Sequence, residues 1–277
     1  MTSVRLIKPF LKWAGGKRQL IPTLLAHLPK KYNVYYEPFV GGGALLFAVQ
    51  PKQAVINDVN SELINCYKVI KNSLNELIEE LKSYENDKTY YYTVRNWDRD
   101  EEYEHKTPIE RAARIIFLNK TCFNGLFRVN SQGQFNVPFG SYKNPNILDV
   151  AVLEAVSKYL NADHIEFLNL DFQKAVEGTK KGDFVYFDPP YDPISNSAYF
   201  TSYNVNGFEK NEQIRLKEAF DSLNFRGCHI LLSNAYTDFV VDLYKNYNQT
   251  KVSAIRAINS NAKKRGKVDE ILVKNYE

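Results

Sequence analysis

The most informative group of residues for chemistry is Asp188-Pro189-Pro190-Tyr191, which directly follows the apolar run Phe184–Phe187. Neither proline has a main-chain N–H group, so the segment offers rigid carbonyl acceptors beside the Asp188 carboxylate. A carboxylate and a carbonyl can together accept both N–H bonds of an amino group on an aromatic ring. The nitrogen lone pair then leaves conjugation and can attack an electrophilic methyl group, while Tyr191 offers a flat face for an extruded base. The pattern indicates amine methylation rather than a rigid turn after a strand.

A second group is Glu37-Pro38-Phe39-Val40-Gly41-Gly42-Gly43, which is followed by the apolar run Ala44–Val49. Glycines at this point let the backbone turn into a helix and approach a ligand closely. The dinucleotide pattern G-x-G-x-x-G fails, because Leu46 stands at the third glycine position. Asp58 ends the next β-rich run, where a carboxylate can accept hydrogen bonds from both ribose hydroxyls. The pair indicates a nucleoside-containing cofactor, with a structural glycine turn and an Asp-Asn helix cap as the alternative.

The segment Gly15-Gly16-Lys17 contains the Gly-Lys pair of a phosphate-binding loop. However, Leu11 replaces the leading glycine of that motif and Arg18 replaces its Ser or Thr, which excludes a nucleoside triphosphate site. We predict instead a turn, Trp13–Lys17, that lays an aromatic ring and a cation over a ligand. A cofactor that carries a carboxylate would suit Lys17.

Strands alternating with helices form the framework for these segments. Short β-rich runs that end in polar turns predict strands, and helical periodicity lies between several of them. The alternation predicts an α/β fold with a doubly wound, Rossmann-like sheet, whose ligands bind at the carboxyl ends of the strands. The predicted strands are Val34–Phe39, Ala54–Asn57, Ile165–Leu170, Phe184–Phe187, Cys228–Ser233 and Glu270–Tyr276, and the predicted helices include Glu62–Lys82, Ile109–Asn119 and Glu209–Leu223.

The alternation breaks between Tyr84 and Ser157, where a charged and aromatic-rich stretch leads into a polar loop, Asn124–Asn146, rich in Gly and Asn. We predict a helical lobe with a long functional loop, inserted between the second and third strands. The chain then divides into a catalytic domain, residues 1–60 and 158–277, and an inserted helical domain, residues 61–157.

Composition and charge narrow the possible classes. With 277 residues and 44% apolar composition, the chain can form one large core, or a core and a smaller lobe. The net charge of +4 is mild, but residues 111–148 and 251–267 contain no Asp or Glu, which fits either nucleic-acid binding or solvated basic loops. Scattered cysteines and histidines predict no metal site. Without a bilayer-spanning run or a signal peptide, we expect a cytoplasmic protein with no membrane partner.

Several segments, in their order along the chain, resemble the Dam-type (alpha-group) site-specific adenine-N6 DNA methyltransferases. These segments are Trp13-Ala14-Gly15-Gly16-Lys17, the glycine-rich segment Glu37–Gly43, Asn57-Asp58 and Asp188-Pro189-Pro190-Tyr191. The stretch Asn119–Lys143, with Phe123–Arg128 and Phe135–Gly140, resembles the DNA-recognition region of that family. The similarity extends from Phe10 to Tyr276.

The resemblance implies a bacterial or phage enzyme that moves a methyl group from S-adenosyl-L-methionine to adenine N6 in double-stranded DNA, at GATC, by base flipping. It implies catalytic roles for Asp188, Pro189, Pro190 and Tyr191. It implies cofactor contacts from Trp13, Lys17, Phe39, Gly41, Gly43, Asp58, Asp171, Phe172 and Asp188, with Asp171 and Phe172 holding the adenine of the cofactor. It implies DNA contacts from Phe123, Asn124, Leu126, Arg128 and Pro138.

Two positions depart from the pattern of the family. Ser141 stands where relatives often have Arg, which removes one expected phosphate contact, and Phe123 stands where some have Tyr. A cognate restriction endonuclease is a candidate partner, but the sequence does not decide between a restriction system and a solitary enzyme. It implies no particular oligomeric state.

Three other functions are open alternatives from the residues themselves. An RNA or cytosine-N4 methyltransferase would share the acceptor pair, although the long Asn124–Asn146 loop and an Asp at position 188 favour duplex DNA and adenine. A nicotinamide dehydrogenase lacks support because the third glycine is missing, and a non-catalytic binding module would not need Asp188–Tyr191. Cytosine-C5 methylation requires a thiolate nucleophile, and no cysteine follows a proline in this sequence.

Overall fold

The structure is a computed structural model that describes residues 7–13, 15, 17–191, 208–255 and 267–277. Within these ranges, one sheet contains seven strands: β1 (Tyr35–Glu37), β2 (Gln53–Asn57), β3 (His164–Leu168), β4 (Phe184–Phe187), β5 (His229–Ala235), β6 (Asn248–Ile255) and β7 (Lys267–Lys274). Their spatial order is β3-β2-β1-β4-β5-β7-β6. The first five strands in this order are parallel, and β7 runs antiparallel to both β5 and β6. The predicted doubly wound, Rossmann-like fold is confirmed.

Six of these strands coincide with predicted runs, whereas β6 was not predicted. Its sequence begins with the polar residues Asn248, Gln249, Thr250 and Lys251, and none of its described side chains is buried. An edge strand whose described side chains are at most half-buried carries only a weak apolar signal, which explains the missed prediction. The central strands are different, since every residue of β1 and β4 is buried.

Ten α-helices lie within the described ranges: α1 (Ile21–Ala26), α2 (Ala44–Val49), α3 (Ser61–Asn72), α4 (Leu74–Lys82), α5 (Lys88–Arg95), α6 (Pro108–Thr121), α7 (Val150–Ala162), α8 (Phe172–Ala175), α9 (Lys210–Phe225) and α10 (Asp238–Leu243). Five of them, α3 to α7, come between β2 and β3, where the insertion was predicted. The prediction of one helix over Glu62–Lys82 was wrong, because Ser73 leaves the helical region (φ −141°, ψ 43°) and separates α3 from α4. None of the helices in the described part of the chain is long and apolar enough to cross a membrane.

Apolar side chains cover both faces of the sheet. On one face, Leu216 and Phe220 of α9 pack with Val185 and Leu232 of the central strands. On the other face, residues of β1 and β2 share one continuous core with α3, α6 and α7, including Leu63, Ile116 and Leu160. The predicted boundary between residues 60 and 61 therefore passes through a shared core, and the division into two domains stays a prediction.

Candidate active site

Parallel strands bring the predicted segments to one edge of the sheet. β1 leads into the glycine loop (residues 38–43), Asp58 directly follows β2, and Asp188 directly follows β4. Asp171 lies shortly after β3, at the start of α8. Because parallel strands have their carboxyl ends at the same edge, these four segments lie together at the position where ligands of doubly wound folds bind.

Asp188 forms a buried ion pair with Lys17. The Lys17 ammonium lies 2.8 Å from Asp188 Oδ1 and 3.8 Å from Glu270 Oε2, and only 4% of its side chain is exposed. It also donates a hydrogen bond to the Gly15 carbonyl and lies 4.3 Å from the centroid of the Tyr191 ring. Lys17 was predicted to meet a carboxylate of the cofactor, whereas the structure pairs its charge with carboxylates of the protein.

Tyr191 is held at its hydroxyl end by a residue of β7. The hydroxyl donates a 2.5 Å hydrogen bond to Glu270 Oε2. Burial raises the pKa of Tyr191 well above its usual value, so the hydroxyl keeps its proton and remains a donor. The ring orientation is therefore set from both sides, by Glu270 at its tip and by the Lys17 ammonium over its face.

The two proline carbonyls differ in their surroundings. Buried Gln213 of α9 donates a 3.2 Å hydrogen bond to the Pro190 carbonyl, and its own amide oxygen accepts a 2.8 Å hydrogen bond from buried Asn234. Both carbonyls were predicted to serve as acceptors for a ligand. The Pro190 carbonyl already accepts a hydrogen bond from the protein, so it is less suited to bind a ligand. Pro189 is the better candidate for that task.

The glycine loop is shaped by side chains of the protein itself. Gly41 and Gly43 have positive φ angles of 48° and 72°. A Cβ atom at Gly41 would lie 2.8 Å from the Trp13 ring, and one at Gly43 would lie 2.6 Å from the Tyr67 hydroxyl. Glycine is thus required at both positions by backbone conformation and by close neighbours, before any ligand is considered. The Tyr67 hydroxyl further fixes the loop by donating a 3.0 Å hydrogen bond to the Gly41 carbonyl.

Asp58 connects the glycine loop to the start of α3. Its two carboxylate oxygens accept hydrogen bonds from the N–H groups of Gly41 (3.1 Å) and Asn60 (2.9 Å). The N-cap of α3 is Asn60, whose side chain accepts from the Leu63 N–H, and Asp58 in turn binds the N–H of Asn60, so the Asp-Asn cap of the alternative interpretation is present. Asp58 is half-buried.

Aromatic rings gather beside these carboxylates. The rings of Phe39 and Phe172 lie 5.4 Å apart, and Phe208 lies 5.8 Å from Phe39 and 5.9 Å from Phe172. Asp171 caps α8 by accepting from the Gln173 N–H, and it forms a 3.0 Å ion pair with Arg215. Predicted residues Phe39, Asp171 and Phe172 therefore lie together, with Phe208 and Arg215 as additions that no motif indicated.

Burial raises the pKa of three carboxyl groups at this edge of the sheet. It raises the pKa of Asp188 to about 6, although the Lys17 ammonium acts in the opposite direction. It raises the pKa of Asp58 to about 6 against the hydrogen bonds from Asn60 and Gly41. It raises the pKa of Glu37 to about 8, although the 2.6 Å hydrogen bond from the Tyr35 hydroxyl favours the charged form. Clustered, strongly perturbed carboxyl groups are typical of functional sites.

The first part of the predicted Asn124–Asn146 loop forms a hairpin, residues 122–140, rather than an irregular loop. Its arms are joined by main-chain hydrogen bonds from Phe123 N to Pro138 O (2.8 Å), Asn136 N to Arg128 O (3.0 Å), Asn130 N to Gln134 O (2.9 Å) and Gly140 N to Thr121 O (2.8 Å). Phe127, Phe135 and Val137 are buried in the core that the hairpin shares with the helices of the insertion. Their alternation with polar residues is the signal that the loop prediction overlooked.

The predicted DNA-contacting residues are all on this hairpin. Phe123 is 47% exposed, Arg128 and Pro138 are exposed, and Asn124 and Leu126 are half-buried. The guanidinium of Arg128 is oriented by the opposite arm, since Nε donates to Asn136 Oδ1 at 2.7 Å. Ser141, at the departure from the family pattern, has a positive φ of 54° just beyond the hairpin.

A buried network of charged side chains anchors the hairpin to the helices of the insertion. Asp98 accepts a 2.7 Å hydrogen bond from the Phe135 N–H, and Arg99 donates a 2.7 Å hydrogen bond to the Phe135 carbonyl. Asp98 is in turn paired at 2.8 Å with Arg114 of α6, which is 1% exposed. Main-chain groups of the hairpin are thus fixed by side chains far away in sequence.

Trp13 connects the hairpin to the edge of the sheet. Its ring stacks on Phe127 with centroids 4.6 Å apart and also lies against Gly41. The neighbouring residue Lys12 exchanges two hydrogen bonds with Asn119 at the end of α6, from its N–H (2.9 Å) and to its carbonyl (2.8 Å). The predicted cofactor and DNA segments are therefore in direct contact.

Three basic residues of the acid-free stretches 111–148 and 251–267 pair with acidic residues elsewhere in the chain. Arg111 pairs with Glu62 and Arg114 with Asp98, so these two basic residues have structural partners. In the second stretch, Lys251 pairs with Asp269 at 2.8 Å. Arg256 and Lys263–Arg265 lie outside the described residues.

Among the residues that are described, no group of three or more His, Cys, Asp or Glu could hold a metal ion.

Motifs did not reveal Glu270 and Gln213. Glu270 begins the predicted strand Glu270–Tyr276, but only the antiparallel direction of β7 brings the start of that strand to the carboxyl edge of β4 and β5. Gln213 is one polar residue on an amphipathic helix and has no distinguishing neighbours in sequence.

Comparison with known proteins identifies relatives along the whole chain. The family model of the D12 class N6 adenine-specific DNA methyltransferases matches residues 13–258. The Type II methyltransferase M1.LlaDCHI of Lactococcus lactis subsp. cremoris is 48% identical over 272 residues, covering 98% of this chain and 96% of its own length. The Type II methyltransferase M.MjaIII of Methanocaldococcus jannaschii is 44% identical (98% and 99% covered), and the DNA adenine methylase of Escherichia coli (strain K12) is 34% identical (96% and 94% covered).

These similarities decide between the alternatives that the residues left open. A family specific for DNA and for adenine N6 sets aside an RNA or cytosine-N4 methyltransferase, a nicotinamide dehydrogenase and a non-catalytic module. The match also includes the glycine loop, the 122–140 hairpin and Asp188–Tyr191. This chain belongs to the D12 class N6 adenine-specific DNA methyltransferases.

Proposed function

We propose that this adenine-N6 DNA methyltransferase uses S-adenosyl-L-methionine as methyl donor and modifies the adenine of GATC in double-stranded DNA. The observation that carries the proposal is the position of Asp188–Tyr191 beside the glycine loop and Asp58, at the shared edge of parallel strands. A donor bound by the loop would then lie next to the acceptors for the target amine.

The described residues suit such a donor. Half-buried Asp58 has the charge and position to accept ribose hydroxyl groups, and the rings of Phe39 and Phe172 can hold an adenine. Val59 and Leu170, at the ends of β2 and β3, are 58% and 41% exposed and offer apolar surface to a flat ring. Exposed apolar side chains next to a carboxylate are what a nucleoside would cover.

We assign roles in the reaction to Asp188, Pro189 and Tyr191. Asp188 accepts one N–H of the adenine amine, the Pro189 carbonyl accepts the other, and Tyr191 stacks on the extruded base. The bound donor supplies an electrophilic methyl group on a positively charged sulfur. Asp188 can take the proton that leaves N6, because a pKa of about 6 allows it both to accept this proton and to release it at neutral pH. The three cysteines are buried and have no part in this scheme.

We propose that the exposed residues of the 122–140 hairpin read the target sequence. Arg128 is held by Asn136 with its side chain exposed, and guanidinium is the group best matched to guanine O6 and N7 in the major groove. Exposed Phe123 can enter the duplex beside the extruded adenine. The assignment of GATC depends on the resemblance of Asn119–Lys143 to the Dam-type recognition region.

We further propose that a restriction endonuclease recognises the same site. Two relatives with 48% and 44% identity are named Type II methyltransferases, and this name belongs to restriction systems. Methylation of GATC would then protect the DNA of the host from its own endonuclease.

The proposed function is tested with S-adenosyl-L-methionine that carries a labelled methyl group. Duplexes with one GATC site, with a scrambled site, and with N6-methyladenine already in both strands are compared at fixed salt, because nucleic-acid binding depends strongly on salt. We expect label only in the first duplex, recovered as N6-methyladenine. Equal labelling of the scrambled duplex would reject GATC, and absence of label from every duplex would reject the donor.

A further inference from the structure

Glu270 is a buried carboxylate at the candidate active site that the proposed reaction does not use. It is 7% exposed and lies near both Asp188 and Lys17. Burying a carboxylate beside another one is unfavourable unless hydrogen bonds and opposite charges compensate. Among the described residues, the Tyr191 hydroxyl and the Lys17 ammonium contact its carboxylate, so two residues of the site itself compensate for its charge.

The strand register explains how Glu270 reaches this position. β7 pairs antiparallel with β5, with Glu270 opposite Ala235 and Ile271 opposite Asn234. The following residues Ile271, Leu272 and Val273 are buried in the sheet, so the strand backbone is rigid at this point. Glu270 is thus presented from a fixed strand rather than from a flexible loop, as a positioning role requires.

We infer that Glu270 is a positioning residue for methyl transfer, whose carboxylate holds the hydroxyl end of Tyr191 in place and keeps the Lys17 ammonium between itself and Asp188, over one face of the Tyr191 ring. The inference rests on the proposed function, because it takes Tyr191 as the surface on which the target adenine stacks. Glu270 does not itself touch the base.

The geometry around the Tyr191 ring supports this role. Rotation about the Cα–Cβ bond of Tyr191 would move its hydroxyl, so the hydrogen bond to Glu270 holds the ring in place. Rotation of the ring plane about its own axis leaves the hydroxyl where it is, and the Lys17 ammonium over the ring opposes that rotation. The Lys17 ammonium lies 4.3 Å from the ring centroid and so occupies one face. A base can therefore stack only on the opposite face, and the tilt of that face decides where adenine N6 lies relative to Asp188. Errors of about 1 Å in such positioning can reduce rates about 100-fold.

The test compares full-length variants Glu270→Ala, Glu270→Gln and Tyr191→Phe, and the double variant Glu270→Ala/Tyr191→Phe. Methyl transfer to a GATC duplex is measured as kcat and as KM for the donor and for DNA. Glu154→Ala, an exposed glutamate of α7, is the matched control for loss of a surface charge. Thermal unfolding of each variant verifies that it is folded.

We expect Glu270→Ala to lower kcat about 10- to 100-fold, because a displacement of about 1 Å at the reacting groups can reduce a rate about 100-fold. KM for the donor should stay within about threefold, because Glu270 has no contact with Phe39, Asp58 or Phe172, the residues proposed to hold the nucleoside of the donor. Glu270→Gln should restore kcat to within about threefold of wild type, since its amide oxygen can accept from the same hydroxyl. Tyr191→Phe should lose as much as Glu270→Ala, and the double variant should be no slower than either single variant.

Several results would overturn the inference. These are a Gln variant as slow as the Ala variant, a Tyr191→Phe enzyme with wild-type kcat, or losses that multiply in the double variant. If Glu270→Ala does not fold, the kcat values of Glu270→Gln and Tyr191→Phe still test the inference. Failure of the proposed function is distinguishable, because wild type would then transfer no label to any duplex.

Discussion

Replacing Lys17 with Met removes the ammonium group but keeps most of the buried aliphatic volume of the side chain. Lys17 Nζ lies 2.8 Å from Asp188 Oδ1 and is 4% exposed, so Asp188 would lose its opposite charge in a site with little water. We expect the variant to fold and to bind the donor, but to need a higher pH for activity. The reason is that Lys17 favours the charged form of Asp188, the form proposed to accept an N–H of the target amine.

The size of the effect follows from the distance. Two unit charges 2.8 Å apart attract by about 6 kcal/mol at an effective dielectric constant of about 20, which is an upper limit because water and Glu270 reorganise. Carboxyl groups usually respond to one neighbouring opposite charge with a shift of about 1–3 pKa units. A rise of about 2 units from about 6 would lower the charged fraction of Asp188 at pH 7 from about 0.9 to about 0.1. We therefore expect kcat at pH 7 to fall about 10-fold and to recover near pH 9.

The assay is the pH dependence of kcat between about pH 5.5 and 9.5, with donor and GATC duplex both saturating. Saturation with donor is essential, because burial also raises the pKa of Asp58 to about 6 and protonation there would weaken donor binding. The wild-type kcat should decline below about pH 6, where Asp188 becomes protonated. Lys31→Met, at an exposed lysine, is the matched control and should retain the wild-type profile.

One outcome would refute this reasoning. If the Lys17→Met profile superimposes on that of wild type while KM for S-adenosyl-L-methionine rises 10-fold or more, Lys17 serves the carboxylate of the donor. The ion pair with Asp188 would then be a feature of the enzyme without ligands.

Three further substitutions test the proposed roles. Asp188→Ala should lower single-turnover methyl transfer about 100- to 1000-fold while DNA binding persists, and a rate within threefold of wild type would remove Asp188 from the mechanism. Asp58→Ala should weaken donor binding, measured by calorimetry without DNA, by about 2 kcal/mol, whereas an unchanged affinity would limit Asp58 to supporting the glycine loop. Arg128→Ala should reduce discrimination at the guanine of GATC about 5- to 150-fold in kcat/KM, whereas Lys143→Ala, in the same acid-free stretch, should affect all sequences alike. Equal losses on all sequences for Arg128→Ala would make this residue a phosphate contact.

The predictable part of the fold consists of elements with a buried face. β4 is a continuous apolar run, β5 contains the apolar run Ile230–Leu232 and β1 contains two buried tyrosines, so the positions of these strands and the doubly wound architecture follow from local sequence patterns. β6 has no such run, and its existence depends on pairing with β7, which no local pattern encodes. The break at Ser73 was missed because both α3 and α4 have helical periodicity, and serine does not by itself end a helix.

In the candidate site, motifs identified residues on the strand ends but not the residues that hold them. Asp188 and Tyr191 were predicted from their types and spacing, because their chemistry is expressed within four consecutive residues. Glu270 and Gln213 come from β7 and α9, and their contacts with the motif arise only when these elements pack together. Lys17 illustrates a third case, since its type predicted a carboxylate partner and the structure supplies one from the protein.

The 122–140 hairpin divides its residues into those that maintain its shape and those that face outward. Its arms are joined through main-chain groups, and Phe127, Phe135 and Val137 anchor it from within. The side chains of Phe123 and Pro138 are exposed and lie outside that framework. Substitutions at outward positions can therefore accumulate without unfolding the enzyme. With the hairpin reading DNA as proposed, such a methyltransferase can acquire a new target sequence during evolution through a few surface changes, while the site at the carboxyl ends of its strands stays the same.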